Sequence, residues 1–248
     1  EVTFTPYTHF SLNRKIPFED QLAALSRARA WAAEEFGISV SWVLDISRNV
    51  RPVEHGLTVA DWVISGKDQG VIALGLGGPE SGNPPELFAE AFDRVLAAGL
   101  ASVPHAGEVA GAESVWGALR TLKAQRIGHG VRCLEDPELV AELRQRQIPL
   151  EVCPTSNVCL GVAASIAEHP LPRLLEAGLY VTINSDDPPM FNTTLTDEYL
   201  KITEAFHFSR ETIEQLVLNA VRASLLPELT RTTLEEKFRS EFSALRGD

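Results

Sequence analysis

Three stretches of the chain concentrate the side chains able to hold a metal or move a proton. They are His105-Ala-Gly-Glu108, Arg126-Ile-Gly-His129-Gly130 and Asn184-Ser-Asp186-Asp187-Pro188-Pro189. An imidazole nitrogen is a good zinc ligand, and a carboxylate beyond a flexible glycine can serve a water or substrate without binding the metal itself. Pro104 argues against reading His105 and Glu108 as one turn of a helical di-metal motif. His129 lies between glycines that let backbone approach a ligand closely, and histidine is the usual proton carrier near neutral pH. In an extended chain end, Asp186 and Asp187 would point opposite ways, one to a metal and one to a substrate. Each stretch has an ordinary alternative when taken alone: a strand-end His with a solvated Glu, an incidental loop His, and an Asx-turn with both carboxylates in water. Combined, they make an oxygen and nitrogen set suited to a catalytic zinc with an open position. Such a zinc would bring the pKa of a water towards neutrality, with an acid and a base beside it managing protons at an electrophilic carbon.

Positioning these groups falls to a regular alternation of elements. Apolar runs bounded by turn signals predict seven strands, at Val2–Pro6, Ile38–Ile46, Val71–Leu76, Ala101–Val103, Arg126–Gly128, Pro149–Cys153 and Leu179–Asn184. Helical periodicity fills the gaps at Phe18–Phe36, Val59–Asp68, Pro85–Ala98, Glu113–Ala124, Pro137–Arg146 and Pro172–Ala177, and residues from about 193 onward read as helices only. Strands and helices alternating at about 30 residues per unit specify a parallel sheet with helices outside it. An open doubly wound sheet lacks its G-x-G-x-x-G after the first strand, and Gly75-Leu76-Gly77-Gly78 runs into Pro79-Glu80 instead of a phosphate-cradling helix start. Polar residues gather at or just past strand ends: Thr5, Asp45, Gly78, His105, His129, Asn157 and Asp186. That is how a β/α barrel builds a site. The expected fold is therefore α/β, a (β/α)8 TIM barrel with seven of its eight strands visible, in one domain spanning 1–248. Because the chain opens on Glu1 and not Met, the eighth strand is expected to precede it.

Composition narrows the partners. Lys plus Arg total 22 against 34 Asp plus Glu, a formal charge of −12, so no basic footprint exists for nucleic acid or anionic lipid, and a neutral or cationic small molecule is the better fit. No apolar run approaches a membrane span, and the N-terminal residues lack the features of a signal peptide. Cys133, Cys153 and Cys159 form neither a disulfide framework nor C-x-x-C pairs, which favours a reducing, cytoplasmic setting and reads Cys153 and Cys159 as buried small side chains. Arg126 and Arg132 read as ion-pairing residues, and His9 falls just past the first strand, near the mouth of the expected site.

The motifs VPHAGE (103–108), RIGHGVR (126–132), LEVCPTSNVCLGV (150–162), HPLP (169–172) and INSDDPPMF (183–191) resemble, in order and spacing, the adenosine deaminase family of metal-dependent amidohydrolase barrels. VIALGLGGPE (71–80) resembles its strand with a substrate-contacting glycine, and EVTFTP (1–6) its second strand. The resemblance implies a single zinc per subunit, with His105 and Asp186 as ligands. It implies that Glu108 protonates the purine N1, that His129 orients and deprotonates the attacking water, and that Asp187 and the Gly78 backbone N–H contact N7 and N3. The implied reaction is hydrolytic deamination of adenosine or 2'-deoxyadenosine to inosine and ammonia. Adenine or 6-amino-6-deoxyfutalosine stand as alternative substrates, and a metal-free purine-binding relative as a different class. Relatives acting on adenine often carry Asp where Gly128 stands, which favours a nucleoside. Two departures matter. The family's H-x-H pair, source of two further ligands, does not occur here, so this polypeptide alone is expected to be inactive or barely active. Gly75 and Pro79 also stand where better-known relatives often carry aspartates.

Overall fold

A computed structural model describes residues 1–247, the side chain of His9 excepted, so the expectation for His9 lies outside the described residues. The chain falls into two compact units, residues 1–125 and 126–248.

The first unit holds four strands, β1 (Val2–Phe4), β2 (Trp42–Ser47), β3 (Val71–Gly77) and β4 (Ala101–Ala106), each parallel to the next. β2 and β3 are buried along almost their whole length. That is the pattern of a parallel sheet covered on both faces, and it is why their sequence shows continuous apolar runs and no alternation. The helices α1 (Phe18–Phe36), α2 (His55–Ser65) and α3 (Ala89–Ala97) supply the cover. Phe18, Val59, Val63, Phe88, Phe92 and Val95 join Leu44, Ile46, Leu74 and Leu76 in one apolar cluster, with the Phe18 and Trp62 rings stacked at 4.7 Å. β2 starts four residues later than its apolar run predicts. Gly37 closes α1 in the left-handed region, and the following residues serve as a connection whose Val40 carbonyl accepts a hydrogen bond from Arg29 Nε. α4 (Ala112–Arg120) follows β4 and ends this unit's helices.

The second unit has three short parallel strands of three residues each, β5 (Ile127–His129), β6 (Leu150–Val152) and β7 (Val181–Ile183). Between them lie α5 (Pro137–Arg146), α6 (Pro154–Cys159) and α7 (Leu171–Glu176). α5 begins as the sequence predicts, with Pro137 at its first position and the Asp136 carboxylate accepting from the Glu138 and Leu139 N–H groups. Past β7 come α8 (Pro188–Phe191), α9 (Leu195–Phe206), α10 (Arg210–Ala223) and α11 (Glu228–Arg246), all helical as expected. α9 opens on a reciprocal capping box between Thr194 and Asp197. Among the described residues no helix is long and apolar enough to cross a membrane.

Candidate active site

In the first unit the candidate residues Gly78, His105 and Glu108 gather around a buried charge cluster. His105 lies on β4, and its Nδ1 faces two oxygens: the Leu76 carbonyl at 3.1 Å and Asp45 Oδ2 at 3.6 Å. Neither oxygen can donate, so Nδ1 carries the ring proton and Nε2 keeps the lone pair. That is the tautomer a metal ligand needs, with its second nitrogen donating to an oxygen.

The backbone after His105 is locked by Glu80. Its carboxylate accepts from the N–H groups of Gly107, Glu108 and Val109 at 2.8–2.9 Å, from Ala110 at 3.4 Å, and from the Ser114 hydroxyl. Burial alone pushes the Glu80 carboxyl up. The hydrogen bonds from Ser114, Val109, Gly107 and Glu108 outweigh it and hold the group below its ordinary value. Arg48, fully buried, donates from Nη2 to the His105 carbonyl at 2.6 Å and from Nη1 to the Asn83 carbonyl. Burial pulls its guanidinium below the ordinary value against the opposing fields of Glu80, Asp45 and Glu108. Gly78, with φ at +89°, turns the chain out of β3.

The second unit brings together His129, Asp186 and, unforeseen from the sequence, Cys153. One ligand atom from each lies within 4.8 Å of the others. His129 Nε2 stands 3.9 Å from Asp186 Oδ2, and the Ser156 hydroxyl donates to that same oxygen at 2.6 Å. Cys153 Sγ donates to the Glu151 carbonyl at 3.4 Å. Both His129 (φ +63°) and Asp186 (φ +53°) occupy the left-handed region, a strained conformation for side chains with a Cβ that concentrates at functional sites. The strand pleating expected to separate Asp186 from Asp187 does not apply, since β7 ends at Ile183 and Asp186 is not extended. Asp186 is half-buried and Asp187 is exposed.

A chain of hydrogen bonds sets the His129 ring. The Leu171 N–H donates to His169 Nδ1 at 3.0 Å, so His169 carries its proton on Nε2 and gives it to Asn157 Oδ1, also at 3.0 Å. The Asn157 amide NH2 then faces His129 Nδ1 at 3.4 Å. That orientation makes Nδ1 an acceptor and places the proton of the neutral His129 ring on Nε2. Burial holds His169 neutral, lowering its pKa to about 4.

The sequence flagged Asp45 and Asn157 as strand-end polar groups but gave Arg48, Glu80, Ser156 and His169 no role. Pro79-Glu80 reads only as a break where a phosphate-cradling helix would start, and nothing local announces that four backbone N–H groups converge on Glu80. Arg126 and Arg132 are engaged as ion pairs, with Glu151 and Glu135 at 2.7 Å each.

Each unit, taken by itself, offers groups of a kind that suits zinc. In the first, His105 presents an Nε2 lone pair; in the second, the half-buried Asp186 is oriented by Ser156 beside the His129 imidazole.

The family model described as adenosine deaminase matches residues 1–240. An aminodeoxyfutalosine deaminase from Streptomyces avermitilis is 43% identical over 232 residues, which cover 91% of this chain and 63% of that protein. The chain thus spans less than two thirds of that relative's length. A crystal structure of an adenine deaminase from Arthrobacter aurescens superposes with a TM-score of 0.91 at 32% identity, covering 97% of this chain and 72% of that one. An amidohydrolase from Burkholderia ambifaria with bound Zn gives 0.92 at 26% identity, covering 99% and 68%. These likenesses show the α/β fold of the metal-dependent hydrolase barrels, as the alternation of elements predicts. By its motifs, its fold and the extent of the match, the chain belongs to the adenosine deaminase family.

Proposed function

We propose that the protein to which this chain belongs hydrolytically deaminates a 6-aminopurine, with 6-amino-6-deoxyfutalosine as its substrate. The observation that carries the reaction class is the locking of the 107–110 backbone on Glu80, which fixes Glu108 three residues beyond a His105 held in its ligand tautomer. The relatives favour the alternatives named above over adenosine. The 43% identical relative is an aminodeoxyfutalosine deaminase, and Gly128 stands where adenine-specific relatives often carry Asp.

In this reading His105 and Asp186 are ligands to one zinc ion. Bound there, zinc supplies Lewis acidity that makes a water molecule nucleophilic near neutral pH. Glu108 gives a proton to the purine N1, drawing electron density from C6 so that water adds and ammonia leaves. Asp187 and the Gly78 N–H hold the purine edge at N7 and N3. Of the two tasks the resemblance gives His129, orienting the water suits the Nε2–H tautomer that Asn157 imposes. Deprotonating it would require the ring to exchange that tautomer.

The test is a panel of 6-amino-6-deoxyfutalosine, adenosine and adenine given to the whole, zinc-loaded protein, with ammonia release measured. The first substrate is expected to show a kcat/KM at least about a hundredfold above the others, a margin of ~3 kcal/mol in transition-state binding. A preference for adenine or adenosine overturns the substrate. Stoichiometric zinc without turnover of any of the three overturns the reaction class, and a metal-free protein that still binds purine supports a non-catalytic relative.

A further inference from the structure

We propose that Asp45 is the positioning carboxylate of His105, reaching it from β2 through a space that Gly75 and Gly77 keep open on β3. The inference rests on the reading of His105 as a metal ligand and assigns a residue which that reading leaves without a role.

The geometry is specific. Asp45 pairs with Gly75 in the parallel register of β2 and β3, and its carboxylate leans across the ladder into the room a side chain at 75 would fill. A Cβ at position 75 would stand 1.8 Å from Asp45 Oδ1, and one at position 77 would stand 2.6 Å from Oδ2. No real Cβ tolerates either approach, so the Asp45 carboxylate can occupy this position beside His105 only with glycine at both 75 and 77. The space is spent on a charge and not on packing. The Asp45 side chain is only 4% exposed, and its Oδ2 lies 3.6 Å from His105 Nδ1.

The Leu76 carbonyl, at 3.1 Å, is the hydrogen-bond acceptor of the Nδ1 proton, and Asp45 adds a full negative charge on the same side. Were the proton on Nε2, the Nδ1 lone pair would face both oxygens. That repulsion excludes the tautomer that could not ligate through Nε2, and the carboxylate's field makes the Nε2 lone pair more basic. Arg48 sits in the same electrostatic cluster, opposing the charge of Asp45 and holding the His105 carbonyl, so ring and backbone of one residue are fixed by two side chains three positions apart.

The experiment compares the whole protein with D45N, D45A and the double variant D45A/G75D, which moves the carboxylate to the partner strand. Zinc affinity is measured by competition with a chromophoric chelator, and the His105 tautomer by nitrogen-15 shifts of the metal-free protein. D45A and D45N are expected to weaken zinc binding about 10- to 100-fold and to give His105 a mixed tautomer population. D45A/G75D is expected to recover at least tenfold of the D45A loss. D45N keeps the side chain's volume, so it decides the matter even where D45A does not fold. Affinity within twofold of the parent together with an unchanged Nδ1–H tautomer in D45N overturns the proposal. Neither readout needs a substrate, so it can hold where deamination fails. If the parent binds no zinc, the metal reading falls while the tautomer still decides the role of Asp45.

Discussion

The two units solve one problem, holding an imidazole in a chosen tautomer, with opposite materials. In the first, His105 is set by charges: Asp45 beside the ring, Arg48 on its carbonyl, and Glu80 gathering the backbone that follows. In the second, the Nδ1 side of His129 is set by neutral groups, a relay from a backbone N–H through His169 and Asn157, with the Asp186 carboxylate facing Nε2 at 3.9 Å and the backbone held in the left-handed region. Long strands and a large apolar cluster support the charged arrangement, whereas the neutral one rests on three-residue strands. Buried charges are rigid only while every partner is present, and removing one leaves the others uncompensated. A neutral relay loses less when broken, but it depends on each donor keeping its proton.

The comparison breaks most readily at Glu80. E80Q replaces an oxygen that accepts from backbone N–H groups with an amide that donates into them. It is expected to cost about 3–5 kcal/mol in chemical denaturation, and a loss under 1 kcal/mol would remove the distinction between the units.

Acid separates them next. His169 binds a proton in the unfolded chain near pH 6.5 but only near pH 4 when folded, so between these values the unfolded state holds more protons and stability falls as pH falls. The full loss is about 3 kcal/mol, from some 2.5 pH units at 1.36 kcal/mol each. Glu80 acts in the same direction but lower. Its folded pKa lies below its unfolded value, so its contribution is intact above the ordinary carboxylate range and is lost as pH drops through the folded value. Hydrogen exchange during acidification should therefore release the amides of residues 154–171 before those of 107–110; the reverse order would contradict the assignment of neutral and charged frames.

Gly130 tests the strained backbone. Its φ is +70°, and a Cβ there would meet Leu150 Cδ2 at 2.7 Å. G130A should cost about 2 kcal/mol by denaturation and displace His129. The smallest effect is expected outside both sites: D136A removes the α5 cap and should cost about 1 kcal/mol, with zinc affinity unchanged.

Much of this was legible in the chain. Continuous apolar runs announced parallel strands at Val71–Leu76 and Ala101–Val103, and Pro137 after Asp136 announced a helix start, because these signals are local. Convergence is not local, and so Glu80 was missed: its partners lie 27 to 34 residues away. The approach of Cys153 to His129 and Asp186 was missed for the same reason. Adenosine follows from the family resemblance, with Gly128 weighing only against adenine, and neither the motifs nor that single position distinguishes one nucleoside from another.

Residue types and their order along the chain were sufficient for the alternation of strands and helices and to nominate His105, Glu108, His129, Asp186, Asp187 and Gly78 as the residues to test, since periodicity and motif spacing are properties of neighbours in sequence. Which nitrogen of each imidazole carries the proton, and why positions 75 and 77 must be glycine, was decided only when the chain folded. Those outcomes depend on oxygens and amides from distant segments meeting within about 4 Å, a range over which hydrogen bonds and excluded volume act.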